Sequence, residues 1–181
     1  MEREEAWKLI QAKVKNENLK KHMLATEAIM IDLALRFKED KKKWGLTGLL
    51  HDVDYEETSS DPSQHGIVGA ALLDKKGVDK DITQAIKAHA GHSPTKTLLD
   101  KALYAVDPLT GLIVACALIH PDKKLNSIDT KFVLKRFKEK RFAAGADRNQ
   151  IKTCAQLDFT LEEFIGVSLK AMQKISDKLG L

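Results

Sequence analysis

The sequence predicts an all-α fold, in which a bundle of helices buries one face of each helix. Apolar residues recur at spacings of three and four along most of the chain, and no segment shows the period-two alternation of a strand. Only 10 Gly and 4 Pro interrupt the 181 residues, and Ala, Leu and Lys, which favour helices, are frequent. We therefore expect a single helical domain over residues 1–181, with a motif-bearing core at about 18–119 and a C-terminal helical extension at about 128–181.

The order of the helices follows from their start and stop signals. Asn18 is expected to cap the second helix, and Asp61 with Pro62 forms a cap and first turn for the fourth. Thr160 with Glu163 three residues on predicts a capping box for the last helix. The predicted helices span about residues 2–15, 18–38, 42–50, 62–76, 79–89, 96–119, 130–140, 147–157 and 160–178.

The composition is typical of a soluble globular protein. The net charge of +4, from 30 basic and 26 acidic residues, is too small to indicate a nucleic-acid partner. Charged residues make up 31% and hydrophobic residues 43%, as in soluble globular proteins. The acidic N-terminus "MEREEAWKLI" is unlike a signal peptide, and Cys116 and Cys154 lie in apolar helical contexts. We expect two buried, reduced thiols and a cytoplasmic setting.

The apolar stretch from Ala102 to Ile119 carries a single charged residue, Asp107. Pro108, where a bend is expected, follows directly, so the uninterrupted apolar run is only 112–119, far below the ~20 residues of a membrane span. We therefore expect a buried core helix and no membrane partner. An ionised Asp107 in that helix would cost several kcal/mol unless paired, and Lys101 is the only cation within six residues of it.

Four histidines are predicted to point inward, each near a different helix. His22 shares its helical face with Ala25 and Ile29. Taken alone, it is more typical of a hydrogen-bonded core residue than of a metal ligand. His89 closes the fifth predicted helix on the face of Ile86.

The pair His51-Asp52 follows an apolar helix face in "GLLHDVDYE" and has no lysine or arginine beside it. A histidine suits a helix C-terminus, but a carboxylate there meets the negative end of the helix dipole. A bound cation would offset that repulsion. His65 is followed by Gly66 and Gly69, and two glycines in one turn of a helix indicate the close approach of another helix or of a bound group.

Together, these imidazoles and carboxylates indicate a metal site. Neutral imidazole and carboxylate oxygen are the usual ligands of zinc, manganese, iron and nickel. Six such groups exceed what one ion usually takes from protein, and they suit two divalent ions that share a bridging carboxylate, with positions left open to water. The sequence does not decide between Fe, Mn, Ni, Mg and Zn as the bound metal. The candidate ligands are His22, His51, Asp52, His65, His89 and Asp107.

The order of these six residues resembles the HD superfamily of metal-dependent phosphohydrolases. The segments "TGLLHDVDYE", "QHGIVGAALL", "AIKAHAG" and "LLDKALYAVDPLTGLI" are similar to HD-domain hydrolases that act on small nucleotides, such as bacterial diadenosine tetraphosphatases. The resemblance implies a bundle of five or more helices with the site at its centre. It implies a first ion held by His22, His51, Asp52 and Asp107. Asp52 would bridge to a second ion held by His65 and His89.

The implied activity is cleavage of a phosphate ester or anhydride of a nucleotide or other small phosphorylated molecule by a metal-bound hydroxide. Asp52 and Asp54 are the candidate catalytic residues, with Asp54 orienting the water or relaying a proton; an acid in solvent is an equal alternative for Asp54. Single-metal nucleotidases of this superfamily resemble "HDxxE", and here Tyr55 occupies the position of that glutamate. The Gly-Tyr-Pro signature of cyclic-di-GMP hydrolases is absent. His92 is interpreted as a surface loop residue, with a contact to substrate phosphate as the alternative.

A basic segment runs from Lys131 to Arg148, where seven basic residues stand against Glu139 and Asp147 for a net charge of +5. A solvated helix face is the simpler interpretation. The sharper hypothesis is a contact to substrate phosphate from Lys135, Lys138 or Arg141. No aromatic platform accompanies the patch, so nucleic acid is not the expected partner. We expect a small phosphorylated substrate and leave a homodimer open.

Two functions other than hydrolysis also stay open. One is a metal-holding sensor or scaffold without turnover, and the other is oxygen-dependent chemistry at a mixed-valence diiron site. The complete set of six ligands favours hydrolysis over the scaffold, because a scaffold need not keep open metal positions.

Overall fold

Ten α-helices and three short 3-10 turns form the computed structural model, which describes all 181 residues and contains no β-strand. The all-α prediction is confirmed. The helices are α1 (Arg3–Lys13), α2 (Glu17–Phe37), α3 (Lys41–Leu50), α4 (Ile67–Lys75), α5 (Lys80–His89), α6 (Leu98–Ile119), α7 (Thr130–Phe137), α8 (Arg148–Lys152), α9 (Leu161–Gln173) and α10 (Ser176–Leu179). The 3-10 turns are Pro62–Gln64, Leu125–Ser127 and Thr153–Leu157.

The helices bury two apolar clusters, and α2 contributes to both. The smaller cluster lies among α1, α3, α4 and α5, where Ile10 and Leu50 are fully buried, and it takes Met23 from α2. The larger cluster joins α6 to the C-terminal helices around Leu103, and it takes Ile29 from α2. Helix α2 packs against α3, α6 and α9. It is therefore the element that ties the two halves of the bundle together, and it carries His22.

Helix α6 is long and apolar enough to cross a membrane, and 56% of its 18-residue apolar stretch is buried inside the bundle. The prediction of a buried core helix is confirmed. The helix continues through Pro108, whose ring nitrogen cannot donate a hydrogen bond to the carbonyl of Tyr104. Nε2 of Gln150, in α8, donates to that carbonyl oxygen at 2.8 Å. The C-terminal extension therefore satisfies a polar group that the proline leaves without its helical partner, one turn from Asp107.

Side-chain caps fix several helix starts. Asn16, not the predicted Asn18, caps α2: its Oδ1 accepts hydrogen bonds from the backbone N–H of Asn18 at 2.9 Å and of Leu19 at 3.3 Å. The helix thus begins two residues earlier than expected. The capping box at the start of α9 is confirmed, since Thr160 Oγ1 accepts from the Glu163 N–H at 3.2 Å and Glu163 Oε2 accepts from the Thr160 N–H at 2.9 Å.

The fourth predicted helix, residues 62–76, is broken in two. Gly66 adopts a left-handed conformation with φ of +77°, which ends the 3-10 turn and starts α4 afresh. A Cβ at Gly66 would lie 2.7 Å from Cβ of Ala90 and 2.9 Å from the carbonyl oxygen of Ile86, so the predicted close approach of another helix is confirmed. His65 lies in the link before α4 and not within a helix.

The three C-terminal helices are shorter than predicted. Helix α7 ends at Phe137, α8 passes into a 3-10 turn after Lys152, and α9 ends at Gln173, before α10. Nη1 of Arg148 donates to the carbonyl oxygens of Ala143 and Ala146, each at 2.6 Å. Arg148 thus holds the segment between α7 and α8 through side-chain hydrogen bonds to two of its carbonyl oxygens.

The close packing of α2 and α3 depends on Gly48. A Cβ at this position would lie 2.9 Å from the backbone nitrogen of Glu27 and from the carbonyl carbon and oxygen of Thr26. Backbone atoms cannot move aside as a flexible side chain can. We therefore expect Gly48→Ala to lower the free energy of unfolding by about 1–3 kcal/mol, measured by urea denaturation.

Gly111→Ala is the matched control for this variant. Gly111 also lies within a helix, and a Cβ there would meet nothing within 4 Å. Alanine is favoured over glycine inside a helix by about 1 kcal/mol, so this variant should be at least as stable as the wild type. Equal stability of the two variants would contradict the role inferred for Gly48.

Cys116 and Cys154 are both buried free thiols, as predicted. Burial raises the pKa of the Cys116 thiol to about 11, and it also raises the pKa of Cys154. The thiolate is the reactive form of cysteine. We therefore expect iodoacetamide at pH 8 to label neither residue in the folded protein and both residues in urea, as read by mass spectrometry. Labelling of the folded protein at the rate of a free thiol would show that this burial is wrong.

Candidate metal centre

The six predicted ligand side chains converge on one place in the bundle, although five separate segments carry them. All six are buried or half-buried. They are His22 in α2, His51 and Asp52 directly after α3, His65 in the link before α4, His89 at the end of α5 and Asp107 in α6.

The first group of ligand atoms surrounds the facing rings of His22 and His51, whose Nε2 atoms lie 3.0 Å apart. Oδ2 of Asp52 lies 3.4 Å from Nε2 of His22 and 3.3 Å from Nε2 of His51. Oδ1 of Asp107 lies 3.2 Å and 3.7 Å from the same two nitrogens. Two nitrogens and two carboxylate oxygens therefore face a common point.

The second group surrounds His65 and His89, whose Nε2 atoms lie 3.2 Å apart. Oδ1 of Asp52 lies 3.4 Å from Nε2 of His65 and 3.6 Å from Nε2 of His89. The two oxygens of Asp52 thus face different histidine pairs, Oδ2 the first pair and Oδ1 the second. One carboxylate joins the two groups.

The tautomers of His51 and His89 are fixed by carbonyl groups of their own helices. Nδ1 of His51 donates to the carbonyl oxygen of Gly48 at 2.8 Å, and Nδ1 of His89 donates to that of Ile86 at 2.5 Å. A carbonyl oxygen can only accept, so each Nδ1 carries a hydrogen. In the neutral ring, Nε2 then presents a lone pair to the centre.

The tautomers of His22 and His65 are fixed by side chains from elsewhere in the chain. Thr110 Oγ1 donates its hydrogen to the carbonyl of Asp107 at 2.9 Å, so it accepts from Nδ1 of His22 at 2.7 Å. Oδ1 of Asp54 accepts from Nδ1 of His65 at 3.0 Å. Sequence reasoning did not single out Thr110; its one signal is its position, nearly one turn after Asp107 on the same helix.

The four rings therefore direct four lone pairs at one another. Neutral rings have no hydrogen to place between the paired Nε2 atoms, and the neighbouring carboxylate oxygens also only accept. A buried cluster of acceptors needs positive charge at its centre, which protons or cations can supply. Imidazole and carboxylate are common ligands of divalent transition metals. The residues present therefore fit a metal ion.

Protons on the rings are one possible source of this charge, and the carboxylates favour them. Burial disfavours a charged ring at His51, but the carboxylates of Asp52 and Asp107 outweigh burial and raise the pKa of His51 well above its ordinary value. Burial alone would raise the pKa of Asp52, yet the charge of His51 and the hydrogen bonds from His22 and His51 hold it well below its usual range. Burial likewise acts against ionised Asp107, whose pKa is nevertheless lowered by His22 and His51.

A cavity of about 650 Å³ opens over the centre. Its wall includes five of the six ligand candidates, and the C-terminal extension completes it with Ala143, Gly145, Ala146, Asp147 and Gln150. No lysine or arginine lines this cavity. Lys138 lines a neighbouring cavity of about 1000 Å³, while Lys135 and Arg141 line neither of the two. The structure thus places the three predicted phosphate contacts outside the wall over the centre.

Three further residues discussed from the sequence lie at or near the site. Asp54 is only 1% exposed, so the alternative of an acid in solvent is wrong. Tyr55 lies at the cavity wall, 52% exposed, with its ring edge-on to His65 at 5.3 Å between centroids. His92 is exposed and does not line the cavity, as predicted for a loop histidine.

The profile of the HD domain family matches residues 19–117, which is more than half of the chain and includes all six converging side chains. The chain belongs to the HD domain family. The predicted resemblance to this family is thereby confirmed, and HD domains as a family bind divalent metal ions.

Relatives of this HD domain differ widely in length. A segment of 96 residues is 33% identical to ribonuclease Y of Nitratidesulfovibrio vulgaris and covers 53% of this chain but only 18% of that protein. An uncharacterized protein of Methanocaldococcus jannaschii is 30% identical over 146 residues, 76% of this chain and 83% of the relative. The symmetrical bis(5'-nucleosyl)-tetraphosphatase of Bacillus subtilis is 30% identical over 128 residues, 59% of this chain and 68% of that enzyme. No solved structure matches at a significant level.

Because the oxygens of Asp52 face both histidine pairs, we expect Asp52→Asn to reduce metal binding sharply. The amide nitrogen must face one of the two pairs, and it offers that pair a hydrogen instead of a ligand. Bound metal per chain, measured by elemental analysis after loading and desalting, should fall to half of the wild-type value or less.

Asp147→Asn is the matched control, since Asp147 lines the same cavity and is not among the six. An asparagine can still cap α8, where Asp147 Oδ1 accepts from the backbone N–H of Asn149. This variant should bind as much metal as the wild type. Unchanged metal content in Asp52→Asn would refute the central position of Asp52.

Proposed function

We propose that this HD domain cleaves a phosphate ester or anhydride of a nucleotide or other small phosphorylated molecule with the help of two divalent cations. The observation that carries the proposal is the division of the Asp52 oxygens between two histidine pairs. A shared carboxylate is suited to two ions held close together. Two metal ions at such a distance promote reactions at phosphorus by stabilising both the attacking and the leaving oxygen.

The ligand groups would divide unequally between the two ions. The first ion would take His22, His51, Asp52 Oδ2 and Asp107 Oδ1. The second would take His65, His89 and Asp52 Oδ1. With three protein ligands against four, the second position keeps more room for water or substrate, as catalytic metal sites do. When bound, the ions would supply an activated water and neutralise phosphoryl oxygens.

The charges in the cavity support a metal-dependent reaction. The wall carries the carboxylates of Asp52, Asp107 and Asp147 and no lysine or arginine. Carboxylates repel an anionic phosphate, so a phosphate in this cavity would need positive charge at the centre. The same ions that act on the phosphoryl group would therefore also be needed to bind it, which favours metal-dependent hydrolysis over binding by lysine or arginine.

The size of the cavity and its rim support a small nucleotide as the substrate. A volume of about 650 Å³ lies within the range of small-molecule sites. The exposed ring of Tyr55 offers a face on which a base can stack. One relative is named as a nucleosyl tetraphosphatase, which hydrolyses a compound of this class. The ribonuclease Y relatives share only a domain with this chain, so an oligoribonucleotide serves as a comparison substrate.

The test is a hydrolysis screen with protein loaded with manganese or iron, in which chromatography separates substrate from products. The panel contains nucleoside mono- and diphosphates, dinucleoside polyphosphates and a short oligoribonucleotide. We expect hydrolysis of at least one mononucleotide or dinucleotide, its loss on chelation, and its fall by more than about a hundredfold in Asp52→Asn, since even outer-sphere changes at metal sites cost roughly 10–100-fold. Circular dichroism should show that the variant keeps its helical content.

Two outcomes would overturn this function. No release from any phosphate ester by fully metal-loaded protein would favour a metal-holding sensor or scaffold. Turnover that requires dioxygen and is lost under anaerobic conditions would indicate oxygen-dependent chemistry at a diiron site. Cleavage of the oligoribonucleotide alone would keep the hydrolysis and replace the substrate class.

A further inference from the structure

We propose that Asp54 is a positioning residue, which holds His65 as a ligand of the second ion. This inference rests on the proposed metal centre, but it does not depend on which substrate is hydrolysed. It replaces the hypothesis that Asp54 orients the attacking water or relays a proton. The contacts of the carboxylate, the two glycines beside it and the chemistry of the neighbouring ring carry the inference.

Both oxygens of Asp54 are already engaged. Oδ1 accepts from Nδ1 of His65 at 3.0 Å, while Oδ2 accepts from the backbone N–H of Gly66 at 2.9 Å and of Gly69 at 2.6 Å. The residue is 1% exposed and does not line the cavity. Asp54 therefore cannot touch substrate or water in the cavity, and it acts on the centre only through His65.

The two glycines shape the place in which Asp54 lies. A Cβ at Gly69 would lie 3.0–3.2 Å from the carboxyl group of Asp54, so a larger residue would push the carboxylate away. Gly66, with its positive φ, turns the chain so that its own N–H and the ring of His65 reach the same carboxylate. The start of α4 also favours a negative charge at its unpaired N–H groups. Gly66 and Gly69, which are conspicuous in the sequence, therefore position the carboxylate of Asp54.

His65 depends on an outside partner more than the other three histidines do. His51 and His89 each donate to a carbonyl of their own helix, and His22 lies within α2. His65 lies in a link between helices, and its ring has no carbonyl partner in a helix of its own. A carboxylate behind a metal-bound imidazole fixes the ring orientation and tautomer and makes the ring a stronger ligand. Asp54 supplies this support at the ion position with fewer protein ligands.

Replacement of Asp54 by asparagine changes one atom and reverses this support. The N–H groups of Gly66 and Gly69 need an acceptor, so the amide oxygen must stay with them. The amide nitrogen then faces Nδ1 of His65 and offers a hydrogen to it. Nδ1 can accept that hydrogen only if the ring carries its own on Nε2, which then points a hydrogen at the centre instead of a lone pair.

The experiment compares wild type and Asp54→Asn after loading with zinc and desalting. We expect about two ions per chain in the wild type and about one in the variant, with the affinity of the weaker site lowered roughly 10–100-fold. Long-range ¹H–¹⁵N spectra of the imidazole nitrogens give a second readout that does not depend on activity. They should show the hydrogen of His65 on Nδ1 in the wild type and on Nε2 in the variant, with the other three rings unchanged.

Thr110→Val is the matched control, because it removes the corresponding partner of His22 in the first group. This variant should weaken the first ion and leave the His65 tautomer as in the wild type. Gly69→Ala is a second route to the same end: it keeps Asp54 and His65 but crowds the carboxylate, and it should selectively weaken the second ion. It also keeps the test decisive if Asp54→Asn fails to fold.

The inference is overturned if either folded variant, Asp54→Asn or Gly69→Ala, retains two ions at wild-type affinity, or if the His65 tautomer is the same in Asp54→Asn as in the wild type. The proposed function fails in a different way. A wild-type protein that binds two ions and hydrolyses no phosphate compound would refute hydrolysis and leave the role of Asp54 standing.

Discussion

The structure depends on one electrostatic constraint: a buried group of acceptor atoms must have positive charge among them. Four imidazole nitrogens and two carboxylates face one another at distances of 3.0–3.7 Å, with no lysine or arginine on the cavity wall. Apolar packing holds these side chains in place, but it does not compensate their mutual repulsion. Divalent cations would remove it, and under the proposed function the same cations would attract phosphate to the cavity. Binding and chemistry would then share a physical cause.

The scaffold fixes each ring through the nitrogen that faces away from the centre, Nδ1. Each Nδ1 has an acceptor, so the orientation of each Nε2 is set before an ion arrives. The acceptors differ in kind: two are carbonyls of the ring's own helix, one is the hydroxyl of Thr110 and one is the carboxylate of Asp54. The two histidine pairs are therefore not equivalent, since an anionic acceptor lies behind only one of the four rings.

The sequence predicts the helices and the inward histidines well, because both follow from local periodicity. His22 and Asp107 each share a helical face with apolar neighbours, so their direction can be read without a structure. Residues whose role depends on distant partners could not be found in this way. In the sequence, Thr110 is an ordinary helix residue and Asp54 an ordinary loop acid. Their roles follow only from contacts with distant residues, Thr110 with His22 and Asp54 with Gly69. The predicted phosphate contacts Lys135, Lys138 and Arg141 do not line the cavity, because the net charge of a segment does not determine where its side chains point.

Helix α6 contains a proline one residue after Asp107, and the carbonyl of Tyr104 finds its replacement donor in Gln150. An unsatisfied buried carbonyl costs about 1–3 kcal/mol. The segment recognised as the HD domain, residues 19–117, therefore does not carry all of its own support. Excising that segment, or grafting it onto another scaffold, would leave a defect in the backbone of the helix that carries Asp107. In this protein the appended helices are a structural part of the candidate metal centre.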